Sequence, residues 1–479
     1  MTRHILVLDV GTSALKAVLF DAAGNAVAGG DAGYGEPLGP HRQDAHAWWA
    51  AARRAITEIR PHRVDAIVLT GTMENLIALD DAGRAVHDVI LYSDPCGADA
   101  LQSLAPALAA IDAGEILGNP PEPLMTAFKL RWLMEHEPEA AWRARWFLPG
   151  AKDALALHLT GRAATDPVTG ATTGLMDLRR RCWSEALLAA IGIPAAKLPE
   201  ILSAGATLGM VTGAAAADLG LDVATPIPVI NGCGDGGATT VGSWCRDEGD
   251  VSLYLGTSGW LARVVPDRDL APNPAVYRLA HPAEGLIVEI TPILSAGAAG
   301  NWVREVLAIP AAERDGLLAE ADRSPPDLVF LPYLAGERFP FFDTHVRAAF
   351  VGLDATHQRR DLYYAVLEGV GFAIRANLAA IDPVGNAQLR LAGGGATSAV
   401  WPQMLADLLG RPVSIPGSPE DATAMGAFLI AAEALGLGEG SRPEAALVLP
   451  RPERGGRAAR MNAAYAHATD VARRLKASR

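Results

Sequence analysis

The chain has 479 residues, 50% of them apolar and 20% charged, with a formal net charge of −13. That is too long for one hydrophobic core and too apolar for disorder, so two large domains are expected. The acidic balance argues against nucleic acid or an anionic membrane as partner, but leaves a nucleotide admissible, because a metal ion and local N–H groups set the field it feels.

Taken from the start, ILVLDV and LKAVLF read as two strands of a hairpin around Gly11-Thr12-Ser13, ending at DAAGN, where Gly24 and Asn25 suit positive φ. Asp44 then caps an expected helix over 45–59. DAIVLTG reads as a buried strand, and NLIALDDAGRAV as a second hairpin turning at Asp81-Ala82-Gly83. A mainly helical stretch over about 98–160 follows, and IPVINGCGDGG reads as a buried strand running into a glycine turn. After Trp244 the opening recurs: VSLYL, then Gly256-Thr257-Ser258, then WLARVV. Over 361–381, Leu362, Val366, Gly369, Ala373 and Asn377 share one helical stripe, with Glu368 and Arg375 on the far side. The tail from Arg442 carries nine Lys/Arg against three acids and reads as a solvated terminal helix. The repeated order predicts a duplicated α/β fold: two mixed-sheet lobes flanked by helices, a boundary near 242–250, and a cleft between them.

Cys96, Cys182, Cys233 and Cys245 form no CxxC pair and have no histidines at zinc spacing, so free thiols are expected. Asp9 interrupts the first apolar run, Glu433 interrupts MGAFLIAA, and no other run reaches membrane-spanning length; a cytoplasmic protein is expected.

Phosphoryl transfer needs donors for phosphate oxygens and a carboxylate to hold a Mg²⁺ or its waters. Asp9-Val10-Gly11-Thr12-Ser13-Ala14-Leu15-Lys16 offers both: Asp9 ends a buried strand, Thr12 and Ser13 donate, and Lys16 follows on the next strand. Gly256, Thr257 and Ser258 repeat the cradle, so two turns closing on one polyphosphate are expected. Asp235, in Asn231-Gly232-Cys233-Gly234-Asp235-Gly236-Gly237, reads as a carboxylate held on a turn and able to take a proton from an attacking hydroxyl. The same segment is a formal G-x-G-x-x-G, leaving a nicotinamide dehydrogenase as a rival reading. Gly393, Gly394, Gly395 and Ala396, between a strand and a helix, remove side chains where adenine or phosphate would lie on backbone. Met73, Glu74, Asn75 and Asp94, at the ends of apolar strands, suit recognition of hydroxyl groups.

Together these motifs resemble the FGGY carbohydrate kinases, over nearly the whole chain. The resemblance rests on DVGTSALK at 9–16, NGCGDGG at 231–237, LGTSG at 255–259, FLPYLAGERFP at 330–340, AAFVGL with DLYYAVLEGVGF between 348 and 372, and AGGGATSAVWPQ at 392–403. TAFKLRWL at 126–133 approximates a further family signature, with Leu124 off-pattern, and the general likeness is greatest to the xylulokinase branch. The resemblance implies actin/hexokinase-like (ribonuclease H-like) lobes, with 1–242 binding the sugar and 243–479 the nucleotide. It further implies ATP and Mg²⁺ as cofactors and a small sugar or polyol as partner, and makes a homodimer plausible. Residue by residue, it implies Asp235 as catalytic base, Asp9 at the metal, and Thr12, Ser13, Thr257 and Ser258 at phosphate. Gly394, Gly395 and Gln403 match the adenosine side, and Met73 the sugar side.

Two positions depart from the branch. Met73-Glu74-Asn75 stands where Met-His-Gly is common, and Cys96 follows Asp94 where an arginine is common. The expected consequence is a site with less positive charge, favouring a neutral ketose or polyol over a sugar acid and leaving ribulose or erythritol as alternatives to xylulose. A nucleotide-driven switch on the same superfold is the rival from another class.

Overall fold

The computed structural model describes residues 3–476 apart from 223, 270–272, 274, 342, 344, 383, 384, 386 and 439–444. A six-stranded sheet is built from β1 (His4–Val10), β2 (Ala14–Asp21), β3 (Ala26–Gly33), β4 (Ala66–Gly71), β5 (Thr207–Met210) and β6 (Pro228–Gly234), in the order β5-β6-β4-β1-β2-β3. A seven-stranded sheet follows from β7 (Val251–Leu255), β8 (Gly259–Pro266), β9 (Tyr277–Ala280), β10 (Leu286–Ile293), β11 (Leu389–Ala392), β12 (Val413–Ile415) and β13 (Ala446–Val448), in the order β9-β10-β8-β7-β11-β12-β13. β1–β2–β3 and β7–β8–β10 are antiparallel meanders, and β1–β4–β6 and β7–β11–β12 are parallel runs. The two lobes therefore repeat one mixed-sheet topology, as the recurring strand–turn–strand pattern predicts.

Both faces of the first sheet are covered, which is why β1 reads as a continuous apolar run. Leu6, Leu8 and Val10 face a core shared with the helices Ala45–Ile59 and Ala151–Thr160. On the former, Trp48, Ala51, Ala52, Ala55 and Ile56 make the buried stripe, and Asp44 accepts from the His46 N–H at its start. Ile5 and Val7 face the other way, into a core that includes Phe428 and Leu429 from the helix Ala422–Ala434 and Ile287 and Val288 from β10. One apolar layer thus joins the lobes, with Phe20 and Phe428 rings 4.9 Å apart.

Three expectations are corrected in detail, and a fourth is extended. Asp235 is not on a free turn but is the first residue of a helix, Asp235–Gly242, that continues directly from β6. The second hairpin forms as expected around Gly83, with Leu79 opposite Ala85 and the Val86 N–H donating to Ala78 O at 3.0 Å, and Ile77–Leu79 pairs in addition with Trp146–Leu148. Glu368, on the far side of the helix Arg359–Ile381, is buried and ion-paired with Arg457. That arginine comes from a terminal helix, Gly455–Lys476, which buries Met461 and Tyr465 on the second lobe and so is not simply solvated; Arg442 lies outside the described residues. The helix Arg359–Ile381 is also long and apolar enough to cross a membrane, yet 78% of its apolar window is buried in the protein, as befits a core helix.

Candidate active site

The carboxyl ends of parallel strands are where open α/β sheets present ligand-binding groups. Here β1, β4 and β6 end level with one another: Asp9 and Cys233 both pair with Thr70, and Val10 and Gly234 both pair with Gly71. Asp9 and Asp235 consequently stand on either side of one central strand, roughly 10 Å apart along the sheet by two strand spacings. Burial pushes the Asp9 carboxyl up to about 6, with the Lys16 charge opposing the rise. Burial and then the Asp9 charge push Asp235 up to about 7, against the pull of the Gly236 N–H, which donates to Asp235 Oδ1 at 2.8 Å. Two half-buried acids with so little local compensation suit a proton acceptor beside a divalent cation. Among the described residues no group of three or more His, Cys, Asp or Glu converges.

The first Gly-Thr-Ser turn leaves the Thr12 and Ser13 side chains exposed while its backbone is braced. The Tyr34 hydroxyl donates to Gly11 O at 2.9 Å and Gln43 Nε2 donates to Thr12 O at 2.6 Å. Thr12 Oγ1 lies 3.4 Å from the Tyr92 hydroxyl. Lys16, expected at phosphate, is ion-paired instead with Asp421 of the second lobe. The second turn is braced from the helix Gly297–Val306, whose Gly297 and Ala298 N–H groups donate to Gly256 O and Thr257 O at 3.0 and 2.8 Å. Thr257 and Ser258 are exposed.

Gly256, Thr257, Gly394 and Gly395 line one cavity of about 390 Å³, together with Asn301, Arg304, Arg314, Tyr363 and Trp401. The three glycines divide the work. A Cβ on Gly393, whose φ is +87°, would lie 2.5 Å from Leu255 O, and one on Gly395 2.7 Å from Leu255 Cβ; one on Gly394 would meet nothing within 4 Å. Two glycines therefore let the loop close on β7, and the middle one opens to the cavity. Ala396 is buried behind them, its N–H donating to Gly393 O at 3.0 Å. Gln403 is outside the cavity lining: Nε2 donates to Asp407 Oδ1 at 3.0 Å and to Leu449 O at 2.9 Å. Arg304 and Arg314 carried no sequence signal, since isolated arginines in amphipathic helices look like surface charge.

On the first-lobe side, Met73 packs on the strand–helix junction that carries Asp235: a Cβ on Gly234 would lie 2.1 Å from its Sδ, and one on Gly236 3.1 Å from its Cε. Glu74 takes a left-handed conformation, φ +61°. Burial and the Glu122 charge push its carboxyl up to about 7, with Lys129 and Arg338 opposing. Lys129, itself fully buried, donates to Glu74 O at 2.7 Å. Asn75 is committed inside the lobe, its amide donating to Thr72 and its Oδ1 accepting from the Tyr92 N–H at 3.0 Å. Asp94 is likewise held, accepting from the Cys96 N–H at 2.9 Å and pairing with Arg42 at 3.2 Å. The cation expected to be missing beside Asp94 is thus supplied from another strand, while burial and Asp94 push the Cys96 thiol up to about 12.

Family models for the N-terminal and C-terminal domains of the FGGY family of carbohydrate kinases match residues 4–242 and 251–435. The chain belongs to the FGGY family of carbohydrate kinases. This carbohydrate kinase is similar to the xylulose kinase of Escherichia coli K12, at 31% identity over 441 residues, 88% of each chain. Its fold matches a structure described as a xyloylose kinase from Brucella ovis, at 31% identity and TM-score 0.88 over 99% of this chain and 100% of the other. It also matches a gluconate kinase from Lactobacillus acidophilus, at 26% identity and TM-score 0.86 over 98% of each. The duplicated lobes and the cleft between them are therefore those of a two-domain FGGY kinase.

Proposed function

We propose that the chain moves the γ-phosphoryl group of ATP to a hydroxyl of a small neutral ketose, a pentulose such as xylulose, with residues 1–242 holding the acceptor and 243–479 the nucleotide. The observation that carries this reading is the pair Asp9 and Asp235, placed at the carboxyl ends of the two parallel strands that flank β4, beside two exposed Gly-Thr-Ser turns, one from each lobe. Asp235 takes the proton of the acceptor hydroxyl as its oxygen bonds to the γ-phosphorus and the bond to the β-bridging oxygen breaks. An acid near neutrality is matched to that task. Asp9 is the residue to hold a Mg²⁺ or its waters, and that ion would offset charge on the transferring phosphoryl.

Thr12 and Ser13 donate to phosphate from the first lobe, Thr257 and Ser258 from the second. Gly394 and Gly395 leave room for the nucleotide in the cavity below. Met73 seats the acceptor against Asp235, and Glu74 accepts from one of its hydroxyls. Closure of the lobes keeps water, the competing acceptor, from the γ-phosphoryl. The test is ADP release by the purified chain across D-xylulose, D- and L-ribulose, erythritol, glycerol and gluconate. Acceptor-stimulated release with a pentulose preference supports the reading; release indifferent to every acceptor supports a nucleotide-driven switch instead.

A further inference from the structure

Tyr277 belongs to the second lobe, on edge strand β9, yet it packs against a first-lobe apolar cluster of which Leu76 and Met125 are members. Its hydroxyl oxygen is sealed from solvent and meets no hydrogen-bond partner among the described residues. A buried phenol without a partner is costly, so it is the kind of group that a ligand completes.

Two features locate that hydroxyl. Tyr277 and Leu279 lie two residues apart on β9, hence on one face. Leu279 Cδ1 would be 3.3 Å from a Cβ on Gly236, so it abuts the start of the helix bearing Asp235, and Tyr277 stands one strand repeat, roughly 7 Å, further along. Asn119 pins this register from the first lobe: its Nδ2 donates to Arg278 O at 2.8 Å and its Oδ1 accepts from the Arg278 N–H at 2.7 Å. On the opposite wall Met73 covers Gly234 and Gly236, and Glu74 follows it. Both walls therefore run in the same order, apolar beside Asp235 and polar beyond. The cations nearby are already engaged: Arg338 pairs with Glu122 across the lobes, Lys129 donates to Glu74 O, and Arg42 pairs with Asp94.

We infer that Tyr277 and Glu74 form a far-end subsite that spans the lobes and reads the hydroxyls of the acceptor most distant from the reacting one, taking alcohols and rejecting a carboxylate. The inference rests on the kinase reading above. The Tyr277 hydroxyl donates to one acceptor oxygen, and Glu74 accepts from a neighbouring O–H. A sugar acid would place its carboxylate against the like charges of Glu74 and Glu122. A three-carbon acceptor reaches Met73 and Leu279 but stops short of this pair.

The experiment measures ADP release by the full chain and by Tyr277→Phe and Glu74→Gln, with dihydroxyacetone, erythrulose, xylulose and gluconate as acceptors. In Tyr277→Phe the ratio of kcat/KM for xylulose over dihydroxyacetone falls about 10- to 100-fold, mostly through KM. In Glu74→Gln the preference for xylulose over gluconate narrows. Ligand-free Tyr277→Phe melts at or above the wild-type temperature, because a dry hydroxyl has been removed, while its stabilisation by xylulose shrinks. An unchanged chain-length ratio, an unchanged xylulose-to-gluconate preference, or a lower ligand-free melting temperature overturns the subsite. Wild-type chain inert toward every acceptor overturns the kinase reading itself, and the subsite with it.

Discussion

Gly242 and Gly426 face each other where the helices Asp235–Gly242 and Ala422–Ala434 cross between the lobes. A Cβ on Gly242 would lie 1.7 Å from Ala422 O, and one on Gly426 1.8 Å from Ala238 O. The two backbones touch with nothing between them, and the Thr239 and Thr423 hydroxyls meet at 2.7 Å beside the crossing. One helix starts at Asp235 and the other follows Asp421, the partner of Lys16, so this contact sets the relative position of groups in opposite walls of the cleft.

Gly426→Ala should therefore force the helices apart. Overpacking of this kind costs about 1–3 kcal/mol. Urea denaturation reads the loss of stability, and ADP release should fall with it because Asp235 moves with its helix. A variant with wild-type stability would show that the crossing is loose.

Asp235→Ala should lower kcat by roughly 10²–10⁴, the usual contribution of a general base, with nucleotide binding kept. The carboxylate lies in the first turn of its helix and accepts from the Gly236 N–H next to it in the chain, so its removal should leave β6 and the fold intact. Steady-state kinetics beside calorimetric nucleotide titration separates the two effects; near-full turnover would remove the assignment.

Glu74 binds its proton more tightly in the fold than in the unfolded chain, its carboxyl being raised from 4.5 to about 7 chiefly by burial. Between those values the folded state holds more protons, so this group's contribution to stability falls as pH rises through the window and is level above it. Glu74→Gln lacks that loss. Its melting temperature relative to wild type should rise between about pH 4.5 and 7 and then stay constant, as followed by circular dichroism. A difference that is flat with pH would refute the tighter proton binding.

Lys152 is fully buried, its Nζ 2.9 Å from Asp153, 3.1 Å from Asp166 and 3.0 Å from Asn231 Oδ1. Asn231 lies on β6, four residues before Asp235, so this network holds the strand that presents the base. Lys152→Met strands two buried carboxylates, and breaking such a pair costs about 3–5 kcal/mol. Chemical denaturation should show a loss of that order, and Lys152→Met/Asp153→Asn/Asp166→Asn should recover part of it.

The two Gly-Thr-Ser turns, the helix capped by Asp44, the strand DAIVLTG and the duplicated order of elements were all legible in the chain, because periodicity, capping and turn chemistry act over a few residues. Asp9 and Asp235 were legible for the same reason: each ends an apolar strand at a polar break. Asp235 was read as a turn residue because three neighbouring glycines mimic a loop, whereas Gly234 ends β6, Gly236 and Gly237 are helical, and Gly242 at the far end of that helix packs on the backbone of the Ala422–Ala434 helix.

What the sequence by itself determined is the local chemistry: which strand ends carry acids, which turns carry hydroxyls and where backbones approach closely. Only the tertiary structure decided how those groups are spent. It tied Lys16 to Asp421, 405 residues away, supplied Arg42 to Asp94, turned Asn75 and Gln403 inward, and brought Tyr277 from the second lobe to face the first. Such pairings depend on how two sheets and their helices pack, and no spacing within one element records them.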